Sequence, residues 1–104
     1  MTIQFNADNN LTLHEGFRDK LNDLLSDELD RYSENITRLE VHLSDENGLK
    51  QGQDDKRCVI EARVEHKPPI AVSAYANNYE LAVNDAAEKL KKTLDSKFGR
   101  MQNH

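Results

Sequence analysis

Tryptophan is missing from these 104 residues, cysteine occurs once, proline twice and glycine four times. The single cysteine, Cys58, has no partner for an internal disulfide and suits a reducing compartment, so the chain reads as cytoplasmic. No stretch approaches the roughly 20 apolar residues that a membrane-spanning helix needs. Met1-Thr2-Ile3-Gln4-Phe5 lacks the basic and apolar regions of a secretion signal, and without one the sequon Asn35-Ile36-Thr37 reads as chance. There is no repeat, linker or low-complexity tract. The length suits one domain, residues 1–104, and 37% hydrophobic against 32% charged residues implies a narrow core under a well-solvated surface.

Catalytic motifs are missing too. There is no G-x-S-x-G, no P-loop and no G-x-G-x-x-G. His14, His42, His66 and His104 show neither an i, i+4 pair nor cysteine partners, which argues against zinc. Cys58 alternates with apolar residues and reads as a small core filler rather than a nucleophile. The carboxylates cluster where water would keep their acidity ordinary. The expectation is a non-enzymatic protein with no metal and no cofactor.

What is present is a clear alternation of periods. Ile3 and Phe5 against Gln4 and Asn6 predict a short strand ending at Asp8-Asn9-Asn10. Thr12 and Glu15 have capping-box spacing, and Phe17, Leu21, Leu24, Leu25 and Leu29 predict a helix from 14 to about 32. Its exposed side is acidic: Asp19, Asp23, Asp27, Glu28 and Asp30 outnumber Arg18, Lys20 and Arg31. Ser33-Glu34-Asn35 breaks it. Leu39, Val41 and Leu43 then alternate with polar residues, as do Cys58, Ile60, Ala62 and Val64. A long hairpin loop, Asp45 to Lys56, joins these two strands. The turn His66-Lys67-Pro68-Pro69 leads to a fourth strand carrying Ile70, Val72 and Ala74. Asn77 or Asn78 caps a second helix; Gly99 is a stop signal, although Met101 would extend the apolar stripe.

The order is β-α-β-β-β-α, an α+β fold with a four-stranded mixed sheet and both helices on one face. A right-handed crossover makes the first two strands parallel, and the other connections make an antiparallel meander. The open sheet face carries Arg38, Arg57, Arg63, Glu40, Glu61, Glu65, His42 and Tyr75, a mixture that predicts cross-strand pairing. A sheet that reads RNA bases would present several stacking aromatics, and only Tyr75 qualifies.

Charge is distributed unevenly along this chain of net charge −5. From Lys89 onward five basic residues accompany one acid, whereas the first 88 residues hold nine basic and eighteen acidic ones. On the second helix Val83, Ala86, Ala87, Leu90, Leu94, Phe98 and Met101 share one side, and Lys89, Lys92 and Arg100 lie on roughly the other. Such a stripe is either a polyanion site or a solvated face whose lysines complement the helix dipole. Three phosphate contacts give only about 0.7 to 0.9 log unit of salt dependence each, so RNA binding would draw on further cations such as Lys50, Lys56 and Arg57 in the hairpin.

The element order and the run Ala82-Val83-Asn84-Asp85-Ala86-Ala87-Glu88-Lys89-Leu90-Lys91-Lys92 resemble the ribosome hibernation-promoting factor and ribosome-associated inhibitor family, also known as sigma-54 modulation proteins. That family reads A-I-D-x-A-x-x-K-L-x-R-Q-L at this point. Leu11-Thr12 sits where it has V/I-T-P, and Phe17-Arg18-Asp19 is similar to its L-R-D. The resemblance covers essentially the whole chain and is to the short type, without the further dimerisation domain. It implies a fold similar to double-stranded RNA-binding domains. It also implies association with the small ribosomal subunit in the channel for messenger and transfer RNA, blocking translation under stress or in stationary phase. Carried over by position, Lys89, Lys92, Arg100 and Arg18 are the implied RNA-binding residues. The family's G-K-H-x-D-x-Y stretch is altered here: residues 74–80 are Ala, Tyr, Ala, Asn, Asn, Tyr and Glu, without the Lys-His pair. Helix 1 carries aspartates where members often carry lysines. The contrasting expectation is a divergent member that has lost RNA binding and docks a basic protein partner through its acidic helix or the solvated sheet face.

Overall fold

The computed structural model describes residues 1–8, 13–46 and 55–102, with side chains up to residue 99. The alternating segments form strands β1 (Thr2–Ala7), β2 (Ile36–Asp45), β3 (Lys56–Val64) and β4 (Ile70–Ala76). The helical patterns form α1 (Glu15–Glu28) and α2 (Tyr79–Gln102). The sheet order is β1-β2-β3-β4, with β1 and β2 parallel and the remaining pairs antiparallel. Both hairpin strands run further than their alternation predicted: Asp45 pairs with Lys56, and the Glu46 N–H donates to the Asp55 carbonyl at 2.9 Å. The turn at 9–10 and the loop at 47–54, with Lys50, lie outside the described residues.

Leu39, Val41 and Leu43, with Cys58, Ile60, Ala62 and Val64, line the covered face of the sheet. Leu21 and Leu25 of α1 and Ala82, Val83, Ala86, Ala87, Leu90 and Leu94 of α2 complete the core. Helix α2 packs on β3 and β4, with α1 alongside it. Alanines on both sides of that contact (Ala62, Ala74 and Ala76 against Ala82, Ala86 and Ala87) let backbone approach backbone without leaving voids.

The ends of both helices differ from the sequence pattern. The N-cap of α1 is His14, which makes no side-chain cap bond, and Thr12 lies outside the described residues. At the other end α1 stops at Glu28, and Asp30–Tyr32 form a 3-10 turn instead of a last α-turn. There the Leu29 and Asp30 carbonyls accept the N–H groups of Tyr32 and Ser33, satisfying groups that a helix end leaves open. Asn78 caps α2, its Oδ1 accepting the Leu81 N–H at 2.8 Å, a bond worth about 1 kcal/mol. Gly99 does not stop α2. One interior glycine costs only about 1 kcal/mol, and its site is open, with nothing within 4 Å of a Cβ position.

Candidate nucleic-acid interface

The two flanks of α2 carry opposite electrostatics. On the α1 side, Glu80 binds Lys20 at 2.8 Å, while Asp95 accepts the Tyr32 hydroxyl and lies 3.9 Å from Arg31. On the β4 side, Lys89 Nζ donates to the Ser73 carbonyl at 2.8 Å. That carbonyl belongs to β4, an edge strand of the sheet, so the bond ties α2 to the sheet edge. The Lys89 ammonium still has two donors free for another partner. One turn on, Lys92, Thr93, Ser96 and Lys97 line an open groove with Lys67 and Pro68 of the β3–β4 turn.

The local sequence explains how Lys67 gets there. The Lys67 N–H closes a tight turn onto the Val64 carbonyl at 3.2 Å, and His66 inside that turn has φ 63°. A non-glycine residue adopts that left-handed backbone at some cost. The Lys67 ammonium then lies 5.2 Å from the centre of the Phe98 ring, an attractive cation–π arrangement.

Of the four residues implied as RNA-binding, Lys89 and Lys92 are exposed neighbours on this flank. Arg100 continues the same helix, and its side chain lies outside the described residues. Arg18 is exposed on α1, across α2 from the groove, so the fold does not bring it to Lys89 and Lys92. The two described hairpin cations are engaged elsewhere. Lys56 Nζ binds Asp45 at 3.1 Å and Asp55 at 3.2 Å, and Arg57 lies 3.6 Å from Glu46 and over the Tyr75 ring. Residue patterning along α2 missed Lys67 and Lys97, because one lies in a turn and the other off the lysine stripe.

The open sheet face pairs its charges, as the alternation predicted. Glu40 and Glu61 stand directly opposite each other. Arg38 and Arg63 lie 3.8 and 3.9 Å from Glu40, and His42 lies 3.8 Å from Glu61. Among the described residues no group of His, Cys, Asp or Glu is arranged to hold a metal ion. No described helix is long and apolar enough to cross a membrane.

Cys58 is fully buried, and desolvation pushes its thiol up to about 12. Since the thiolate is the reactive form, Cys58 of the native protein is expected to resist alkylation by iodoacetamide at pH 8. Labelling should follow the unfolding rate and become fast in denaturant. Fast labelling without denaturant would contradict this placement in the core.

A model of the family described as sigma 54 modulation protein / S30EA ribosomal protein matches residues 3–102. Among solved structures, the chain is similar to the N-terminal domain of Thermus thermophilus Protein Y, with a TM-score of 0.72 and 22% identity. That match covers 92% of this chain and 98% of that one. It is also similar to a ribosomal subunit interface protein from Coxiella burnetii, with a TM-score of 0.71 and 18% identity over 95% and 99% of the two chains. These likenesses show a shared fold. No curated protein sequence matches the chain at significance.

Proposed function

We propose, because this chain belongs to the sigma 54 modulation protein / S30EA ribosomal protein family, that it is a non-enzymatic, cytoplasmic hibernation factor. It binds rRNA of the small ribosomal subunit near the decoding channel and holds translation off under stress. The observation that carries this reading is the β4 flank of α2. There Lys89 and Lys92 stand exposed together in a chain of net charge −5, with acids gathered on the α1 side. The helix would lay that flank against phosphates, and the body of the protein would occlude the channel. The Coxiella burnetii protein of similar fold, named for the ribosomal subunit interface, supports the same setting.

Pelleting through a sucrose cushion with purified small subunits tests this reading. The wild-type protein is expected to pellet at low salt and to be released as salt rises. A protein that stays in the supernatant even at low salt would sink it. The acidic face of α1, lying away from the lysines, favours one second reading, a docking surface for a basic protein. Recovery of one basic protein and no rRNA in a pull-down would support that reading instead.

A further inference from the structure

We infer that the groove between the β3–β4 turn and the second half of α2 is an RNA-phosphate clamp, closed from the turn by Lys67 and from the helix by Lys92 and Lys97. This rests on the rRNA-binding reading above and extends its interface from Lys89 and Lys92 to the β3–β4 turn and Lys97.

The first support is convergence. Six residues line the groove, and three are lysines contributed by two separate elements. No carboxylate is among them, although the chain holds 19 acidic residues against 14 Lys and Arg. Outside the groove Arg18, Lys89 and Lys91 have no acid within 4 Å among the described residues, but Lys20, Arg31, Arg38, Lys56, Arg57 and Arg63 each lie that close to one. Among the described residues Lys92 and Lys97 do not, and both are exposed. Lys92 and Lys97, like charges on one stretch of helix, repel each other, and an anion in the groove relieves that repulsion.

The second support is geometry. Lys67 is half-buried and its ammonium is held over the Phe98 ring, which limits its freedom before any ligand arrives. Ser96 adds a hydroxyl at the groove wall. The Thr93 hydroxyl donates to the Lys89 carbonyl at 3.0 Å, so it serves the helix rather than the ligand. With Lys89 one turn earlier, cations extend along α2 beyond one phosphate, as a nucleic-acid backbone requires and a single small anion does not.

The test measures affinity for purified small ribosomal subunits over a range of KCl concentrations, with deproteinised small-subunit rRNA as a second probe. Lys67→Ala combined with Lys97→Ala is expected to flatten the plot of log affinity against log salt by about 1.5 units, two contacts at about 0.7 to 0.9 each. Lys67→Arg with Lys97→Arg should restore the slope, since arginine keeps the charge and the ring contact. An unchanged slope in the alanine pair would overturn the clamp while leaving wild-type binding, and with it the hibernation reading, in place. Weaker binding with an unchanged slope would mean that Lys67 only supports the fold, and would also overturn it. A slope change on subunits but not on bare rRNA would assign the groove to an acidic ribosomal protein instead. If wild-type protein binds neither probe, the underlying reading falls first.

Discussion

Replacing Tyr32 by alanine is expected to lower the unfolding free energy by about 4 kcal/mol, the range for truncating a large buried aromatic. The expected fall in melting temperature is roughly 20 °C for a chain of this size. Tyr32 is 1% exposed, the largest of the fully buried side chains among the described residues. It stands in the 3-10 turn after α1, and its ring packs 5.5 Å from Phe98 on α2, centre to centre. Its hydroxyl donates to Asp95, one turn before Phe98. One side chain thus ties the end of α1 to the last third of α2. Tyr32→Phe removes only the hydroxyl bond and is expected to cost about 1 to 1.5 kcal/mol, because Asp95 is part-exposed and keeps Arg31 nearby. Equal losses for the two variants in urea unfolding would show that packing is not the main contribution.

The same contact has a pH signature. Burial first, then the hydrogen bond to Asp95 and its negative charge, raise the Tyr32 phenol above its usual pKa. The folded state therefore holds this proton more tightly than the unfolded chain does. The resulting stability is fully present below about pH 10 and declines as pH rises through the folded pKa. The gap between wild type and Tyr32→Phe is expected to narrow above pH 10. A gap that widens there would contradict the assignment.

Reversing two charges on the opposite flank is the second large effect. Lys89→Glu with Lys92→Glu is expected to weaken small-subunit binding by a hundredfold or more. Each lost charge-assisted bond to phosphate is worth about 1.5 to 3 kcal/mol, and about 1.4 kcal/mol is a factor of ten. Because Lys89 also covers the Ser73 carbonyl at the sheet edge, reversal there would also disturb β4. Lys89→Gln with Lys92→Gln separates the two effects. Glutamine retains a donor for the edge but carries no charge, so this pair should keep most of the stability and still lose binding. Full binding by both double variants would place the interface elsewhere.

The fold was legible because its signals are local. Period-two alternation in β2 and β3 and the apolar spacing of both helices sufficed for the order, the mixed sheet and the covered face. The elements ended elsewhere because their ends depend on neighbours. Asp45 and Lys56 extend the hairpin by pairing with each other, and α2 passes Gly99 in register. The groove is a tertiary feature, yet elementary lengths place it. Strand β4 has seven residues at about 3.3 Å each, a distance retraced by about fifteen helical residues at 1.5 Å. Counting from Tyr79, that brings the helix beside the β3–β4 turn near Thr93, in the middle of the lysines that line the groove with Lys67. Arg18 failed to join them because its place beside α2 depends on which flank α1 occupies. Only packing decides that, and the Lys20–Glu80 pair shows the outcome.

The most direct measurement is hydroxyl-radical footprinting of small-subunit rRNA with and without the protein. Binding through the α2 lysines is expected to give new protections gathered around the decoding channel, present with wild type and lost with Lys89→Glu plus Lys92→Glu. A cleavage pattern unchanged by saturating wild-type protein, or protections confined to a remote surface of the subunit, would contradict it.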